Sequence, residues 1–222
     1  MNSVQTSASL ASLLVGEPKM IQHGSKEVLS GIFKTAIVER VFISKTGIQG
    51  DGQGDMINHG GEDKAICAYF HSRYPYWEEQ FDRPFVHGSF GENFTISGWT
   101  EDDLFVGDII TIGEVTLQIS QPRQPCFKLG IRNDLPTLPL LSQQTGYTGF
   151  YFRVMQEGYI SVGDHFNVIE RHPEQFSIAD ANHVMYVEKD NVEAIQKLLA
   201  VDALAASWKN QLSKRLDKLI ND

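Results

Sequence analysis

The chain has 222 residues, enough to bury a substantial core in one domain with an appendage or in two small domains. A hydrophobic fraction of 41% and a charged fraction of 21% are those of a folded globular protein rather than a disordered one. The formal net charge of −9 speaks against a generic nucleic-acid binder, since phosphate binding runs on an excess of Lys and Arg; a small anionic ligand stays open if the few cations converge.

In chain order, residues 1–9 are polar and expected to be poorly ordered. Leu13–Val15 starts a strand that turns at Gly16-Glu17-Pro18, and His23-Gly24-Ser25 reads as a further turn. Gly31–Thr35 leads into Ile37–Ser44, where Ile37, Val38, Val41, Phe42 and Ile43 predict one strand buried on both faces. The stretch Gly50–Lys64 then sets five glycines among Asp51, Gln53, Asp55, His59, Asp63 and Lys64. Its glycines allow positive φ and close backbone approach, and its polar residues offer donors and acceptors to a polar ligand. Ala65–Phe70 reads as a buried strand that anchors this loop. Two nucleotide readings of the stretch fail. Asp55 stands where G-x-G-x-x-G needs its third glycine, and no G-x-x-x-x-G-K-[ST] occurs.

Ser72–Phe81 predicts a short helix capped by Ser72, with Tyr74, Trp77 and Phe81 on a core-facing side rather than forming a stacking platform. Pro84–Phe94 reads as loop and ends in Gly91-Glu92-Asn93. Ile109–Ile112 and Val115–Ile119 alternate around Gly113-Glu114 as a hairpin. Leu138–Thr145 is a helix closed by Gly146, and Phe150–Val154 and Phe166–Ile169 are strands. Val106-Gly107-Asp108-Ile109-Ile110 recurs as Val162-Gly163-Asp164-His165-Phe166, two similar turns that each feed a strand. All 19 glycines lie at or before Gly163. Beyond Arg171-His172-Pro173 three helices are expected. Ser177 with Asp180 opens the first, and Asp190 with Glu193 the second. The third runs from about Asp202, with Leu204, Trp208, Leu212 and Leu216 in line. The result is a mainly β body with α elements over residues 1–170, a barrel or sandwich, and a helical tail over 171–222.

Two cysteines form neither a disulfide framework nor a zinc spacing, which fits a reducing cytoplasm. No basic n-region opens the chain and no apolar run reaches membrane-spanning length, so neither a signal peptide nor a membrane partner is expected. Cys126 is the leading chemical candidate. Prolines 122 and 125 fix the backbone before it, and Arg123 and Lys128 flank it and favour its thiolate, the nucleophilic and metal-binding form. A buried apolar thiol is the alternative, and it is the preferred reading for Cys67 inside its strand. His59 offers a metal ligand or a proton, or else closes a turn. Lys64 and Arg123 suit phosphate, Arg123 by its forked guanidinium, although Lys64 also reads as a solvated lysine. Asp51, Gln53 and Asp63 offer polar contacts, Asp55 reads as a turn former, and Asn93 contacts a ligand edge or caps a turn.

Three blocks in one order carry a resemblance. They are Gly50-Asp51-x-Gln53-x-Asp55 with His59-Gly60-Gly61-x-Asp63-Lys64-Ala65 and Tyr69, then Gly91-Glu92-Asn93, then Gln121-Pro122-Arg123-x-Pro125-Cys126. Together they resemble the MOSC domain, the molybdenum-cofactor sulfurase C-terminal fold, in its YiiM type, the 6-hydroxylaminopurine resistance and reductase proteins. The likeness spans Leu13–Ile169 and extends through the tail. It implies a β-barrel-like MOSC domain with a small C-terminal three-helix subdomain. It further implies a molybdopterin-type molybdenum cofactor lying across the barrel, its metal held by Cys126. Asp51, Gln53, His59, Asp63, Lys64, Asn93 and Arg123 would bind the pterin and phosphate. The implied reaction reduces N-hydroxylated compounds such as 6-hydroxylaminopurine to the amine. No flavin or iron–sulfur motif is visible, so electrons would come from a separate reductase, expected to be a flavoprotein. Two alternatives stand beside this: a non-catalytic cofactor or sulfur carrier using Cys126, and a cysteine hydrolase pairing Cys126 with a histidine. The tail's apolar faces suit covering the site, a homodimer, or docking of the reductase.

Overall fold

The structure is a computed structural model that describes residues 7–55 and 60–221. Its first half runs β1 (Ala8–Val15), β2 (Lys19–His23), β3 (Lys26–Ser30), β4 (Thr35–Ile37), β5 (Val41–Ser44), β6 (Gly47–Ile48), β7 (Ile66–Phe70), α1 (Tyr74–Phe81) and β8 (Phe94–Ser97). Then come β9 (Ile109–Ile112), β10 (Val115–Pro122), α2 (Phe127–Asn133), α3 (Leu138–Thr145), β11 (Phe150–Gln156), β12 (Gly158–Ile160) and β13 (His165–Glu170). The chain ends in α4 (Ile178–Tyr186), α5 (Val192–Ala200) and α6 (Ala206–Asn221).

Seven strands close a barrel in the order β13-β9-β10-β11-β7-β8-β1, with the start of β1 returning to β13 and its far end pairing with β4. The β7–β8 pair is parallel. Successive side chains along a strand point to opposite faces, so one set fills the barrel and the other faces out. Ile66, Ala68, Phe70, Phe94, Ile96, Ile119, Phe150 and Phe152 fill it. Tyr69, on the outer face of β7, packs with Tyr74, Trp77, Phe90, Leu129 and Leu138, so α1, α2 and α3 cover that wall. The two similar turns recur in three dimensions. Gly107 and Gly163 both have positive φ, and Asp108 and Asp164 each accept from the backbone N–H three residues earlier. The strands they feed, β9 and β13, pair with each other.

The structure corrects several expectations. Residues 8 and 9 belong to β1 rather than to a loose terminus. Ile37–Ser44 is two strands, not one. The chain leaves β1 after Ile37, Val38 is 82% exposed, and β5 pairs instead with β12 and β6. The turn at Gly24 joins β2 and β3 in a hairpin whose alternation is too polar to announce itself. A 3-10 turn over His71–Arg73 precedes α1, so Arg73 holds the cap position and Ser72 donates to Trp99 O instead. The second tail helix is capped by Asn191, whose Oδ1 accepts from Ala194 N, and not by Asp190. Leu204 lies ahead of α6 rather than within it. Ser177 caps α4 as expected, accepting from Asp180 N. Ala181, Val184, Ile195, Leu198, Trp208 and Leu212 form the core of the three tail helices, and Val106 joins them from the barrel.

Candidate functional site

The site is built on the outer face of the barrel wall. Gln121, Tyr151 and Cys67 stand in register on β10, β11 and β7, pointing away from the filled interior. Over Tyr151 and Cys67 lies a cavity with an empty volume of about 540 Å³. The segment Ser30–Lys34, the loop Asp51–Asp55 and the start of α2 wall it. Glycine permits the close fit of the first two walls. A Cβ on Gly31 would stand 2.1 Å from Gly52 O, and one on Gly54 would stand 2.5 Å from Leu29 C.

Asp51 fastens the loop from beneath. Its Oδ1 accepts from Gly16 N at 2.9 Å and from Lys34 Nζ, and its Oδ2 accepts from Asn93 Nδ2 at 2.9 Å. Asn93 also donates to Leu14 O at 3.2 Å and accepts from Cys67 N at 3.1 Å. Both residues line the cavity, yet these bonds knit three elements together, which marks them as organisers of the site. Glu92, fully buried, accepts from Tyr74 Oη, Gly88 N, Thr95 Oγ1 and Phe90 N. It thereby shapes the turn that presents Phe90 O to Arg123 Nη1. Arg123 is further held by its own backbone N–H, which donates to Gly149 O at 2.9 Å.

Lys34, Lys64, Arg123 and Lys128 all line the cavity, against the two carboxylates Asp51 and Asp55. A local cationic surplus in a chain of net charge −9 suits an anionic ligand. Cys126 lies half-buried among them, immediately ahead of α2. Burial holds the Lys64 ammonium below its ordinary pKa, although Asp63 and Asp55 pull the other way. Burial pushes the Cys67 thiol above its ordinary value, with partial relief from Arg123. Tyr151 is raised as well, first by burial.

Of the residues expected in the site, Asp51, Gln53, Lys64, Asn93, Arg123 and Cys126 line this one cavity. His59 lies outside the described residues. Asp63 stands apart from the cavity. Its Oδ1 accepts from Arg153 Nε and Nη2 at 2.9 and 2.6 Å, and its Oδ2 accepts from Ala206 N at 3.4 Å. It therefore ties the barrel to the start of α6 rather than facing a ligand. Asp55, taken for a turn former, lines the cavity instead. Lys34 and Tyr151 also line it without having been singled out. Tyr151 was legible in principle, because strand alternation turns it away from core residues Phe150 and Phe152. Lys34, far from the other blocks in sequence, carried no such signal. Among the described residues no three His, Cys, Asp or Glu side chains cluster as a metal cage, and no helix is long and apolar enough to cross a membrane.

The MOSC domain pattern matches residues 55–167, and the pattern of the YiiM-like 3-alpha helix domain matches residues 177–219. The uncharacterized protein YflK of Bacillus subtilis is 40% identical over 96% of both chains. Protein YiiM of Escherichia coli is 31% identical over 84% of both. A Gibberella moniliformis protein named as a reductase is 33% identical over 72% of this chain, a match that spans 29% of that longer protein. Among solved structures, YiiM from Geobacillus stearothermophilus superposes with a TM-score of 0.81 at 44% identity, covering 94% of this chain and 99% of that one.

Proposed function

The chain belongs to the MOSC-domain family in its YiiM-like form, and on that premise we propose that it is a molybdenum-cofactor-dependent reductase of N-hydroxylated compounds. The carrying observation is the convergence of four cations and one half-buried thiol on a single glycine-walled cavity. The donor set fits the group. Thiolate is a soft ligand suited to such a metal, and Lys34, Lys64, Arg123 and Lys128 suit a phosphate-bearing pterin. Gly31, Gly52 and Gly54 fit so closely against Gly52 O, Pro18 and Leu29 that none has room for a Cβ, which holds the cavity's two irregular walls together. The cavity's position on the outer wall favours a cofactor lying against the barrel rather than across it.

Bound there, the cofactor supplies the two-electron redox chemistry. Cys126 Sγ would hold the metal, and Arg123, fixed by Phe90 O and Gly149 O, would orient the anionic end. Lys64 lies where this cavity meets a second one, and its burial makes Nζ a better proton donor than an exposed lysine. It would hand that proton to the departing hydroxyl. Overall, two electrons from a separate reductase and two protons break the substrate's N–O bond and leave the amine and water. The Gibberella moniliformis relative's name supports an oxidoreductase reading.

The test is elemental analysis of protein from a host that makes molybdenum cofactor. Near-stoichiometric molybdenum in the wild type, lost in Cys126→Ser, is expected, together with reduction of an N-hydroxylated base when a flavin reductase is supplied. Metal without turnover would favour a carrier. A wild type with no molybdenum would sink both.

A further inference from the structure

A separate cavity, with an empty volume of about 640 Å³, lies where the end of α3 and the helix α4 meet the loop after β8. It shares no lining residue with the cavity at Cys126. Arg73, just ahead of α1, and Glu101 line it as an ion pair. Arg73 donates through Nε and Nη2 to Glu101 Oε2, at 2.7 and 2.6 Å. These bonds use the side edge of the guanidinium. Its end edge, Nη1 with the outer N–H of Nη2, makes no hydrogen bond among the described residues, and such an edge suits a carboxylate. The guanidinium lies 4.1 Å over the Tyr147 ring, which helps to hold its plane.

Glu101 is 2% exposed, and its Oε1 is buried without a hydrogen-bond partner among the described residues. Buried polar atoms are normally matched, because an unmatched acceptor has lost its water and gained no bond. Burial pushes the Glu101 carboxyl above its ordinary pKa, and the bond from Arg73 opposes this. A cationic donor at Oε1 would relieve the same cost. Charge then narrows the ligand. Arg73 and Glu101 cancel each other, and Asp102 also lines the cavity. A bare anion at the guanidinium would face both carboxylates, and a bare cation at Oε1 would face Arg73. A ligand that carries both charges close together meets each partner.

We propose that this cavity binds a zwitterionic α-amino acid, its carboxylate on the end edge of Arg73 and its ammonium donating to Glu101 Oε1. Both charges of such a ligand hang on one carbon, which suits a donor edge and an acceptor held together in one ion pair. The site is independent of the reductase reading and of any cofactor. It joins the barrel, through Arg73 and Glu101, to the tail helix α4, whose Ala179, Asn182 and His183 line the same cavity.

The probes are the proteinogenic L-amino acids, screened by thermal shift against the full-length wild type, with calorimetry on the one that gives the largest shift. That amino acid should bind with a Kd of about 1 mM or tighter. Its analogue without the carboxylate, the amine, and its analogue without the ammonium, the acid, should each bind at least roughly tenfold more weakly. These comparisons use the wild type alone and stand whether or not a variant folds. Arg73→Lys keeps the charge and lacks the fork, and Glu101→Gln keeps the shape and lacks the charge. Each should weaken binding by about tenfold. The proposal is overturned if no amino acid binds more tightly than roughly 1 mM. Equal binding of either analogue, or full affinity in both variants, overturns it as well.

Discussion

Cys126 and Cys67 line the same cavity, and their surroundings separate them. Cys67 is 7% exposed and its thiol is pushed above its ordinary pKa by burial, so its thiolate is disfavoured relative to that of an ordinary thiol. Cys126 is half-buried at the mouth. Iodoacetamide at pH 8 should alkylate Cys126 at least roughly tenfold faster than Cys67, as read by peptide mass spectrometry. Equal labelling would mean that the β7–β11 wall opens. The thiols could be told apart in the sequence, one in an apolar run and one between cations. Asp63 could not be. It sits inside the densest polar block, and only the fold shows it facing Arg153 and α6 while Asp51 and Asp55 face the cavity. Neighbours in sequence at a turn point in different directions, and spacing alone does not say which.

At the level of elements, the site depends on how closely two irregular segments approach each other. The loop after β6 lies against Leu29 and Ser30 at the end of the β2–β3 hairpin, and Gly54 is the contact. Gly54→Ala should lower stability by about 1–3 kcal/mol, because the neighbour is backbone and cannot turn aside. Bound molybdenum should fall with it. Urea unfolding and elemental analysis check the two effects, and retention of both would show that the loop can shift. Regular elements with clean alternation, such as β9–β10, were readable from their period. Ile37–Ser44 was not, because a run of apolar residues does not reveal that the chain changes pairing partner halfway. Nor was α2, whose seven residues are too few to display a period.

Across the whole molecule, the barrel and the helical tail are joined by specific contacts. Val106 enters the tail's core, Ala205 N donates to Ser120 O, and Phe105 bridges Ser177. Trp208, fully buried at the centre of that core, should cost about 3–5 kcal/mol when replaced by alanine. Urea unfolding checks the loss, and an unchanged midpoint would show that the tail helices repack around the missing ring.

What the sequence by itself determined was the division into a glycine-rich β body and a glycine-free helical tail, the order of the three polar blocks, and the setting of Cys126 between Arg123 and Lys128. These are local properties. They depend on composition, on spacing and on which backbone conformations glycine and proline allow. The tertiary structure decided what required distant segments to meet. It closed the barrel through β1 and β13, put the cavity on the outer wall, and turned Asp63 away from it. It also brought Lys34 and Arg123 to one cavity and set Gln211 opposite Gln124. Such meetings are fixed by strand register and helix packing, which a pattern along one chain does not encode residue by residue.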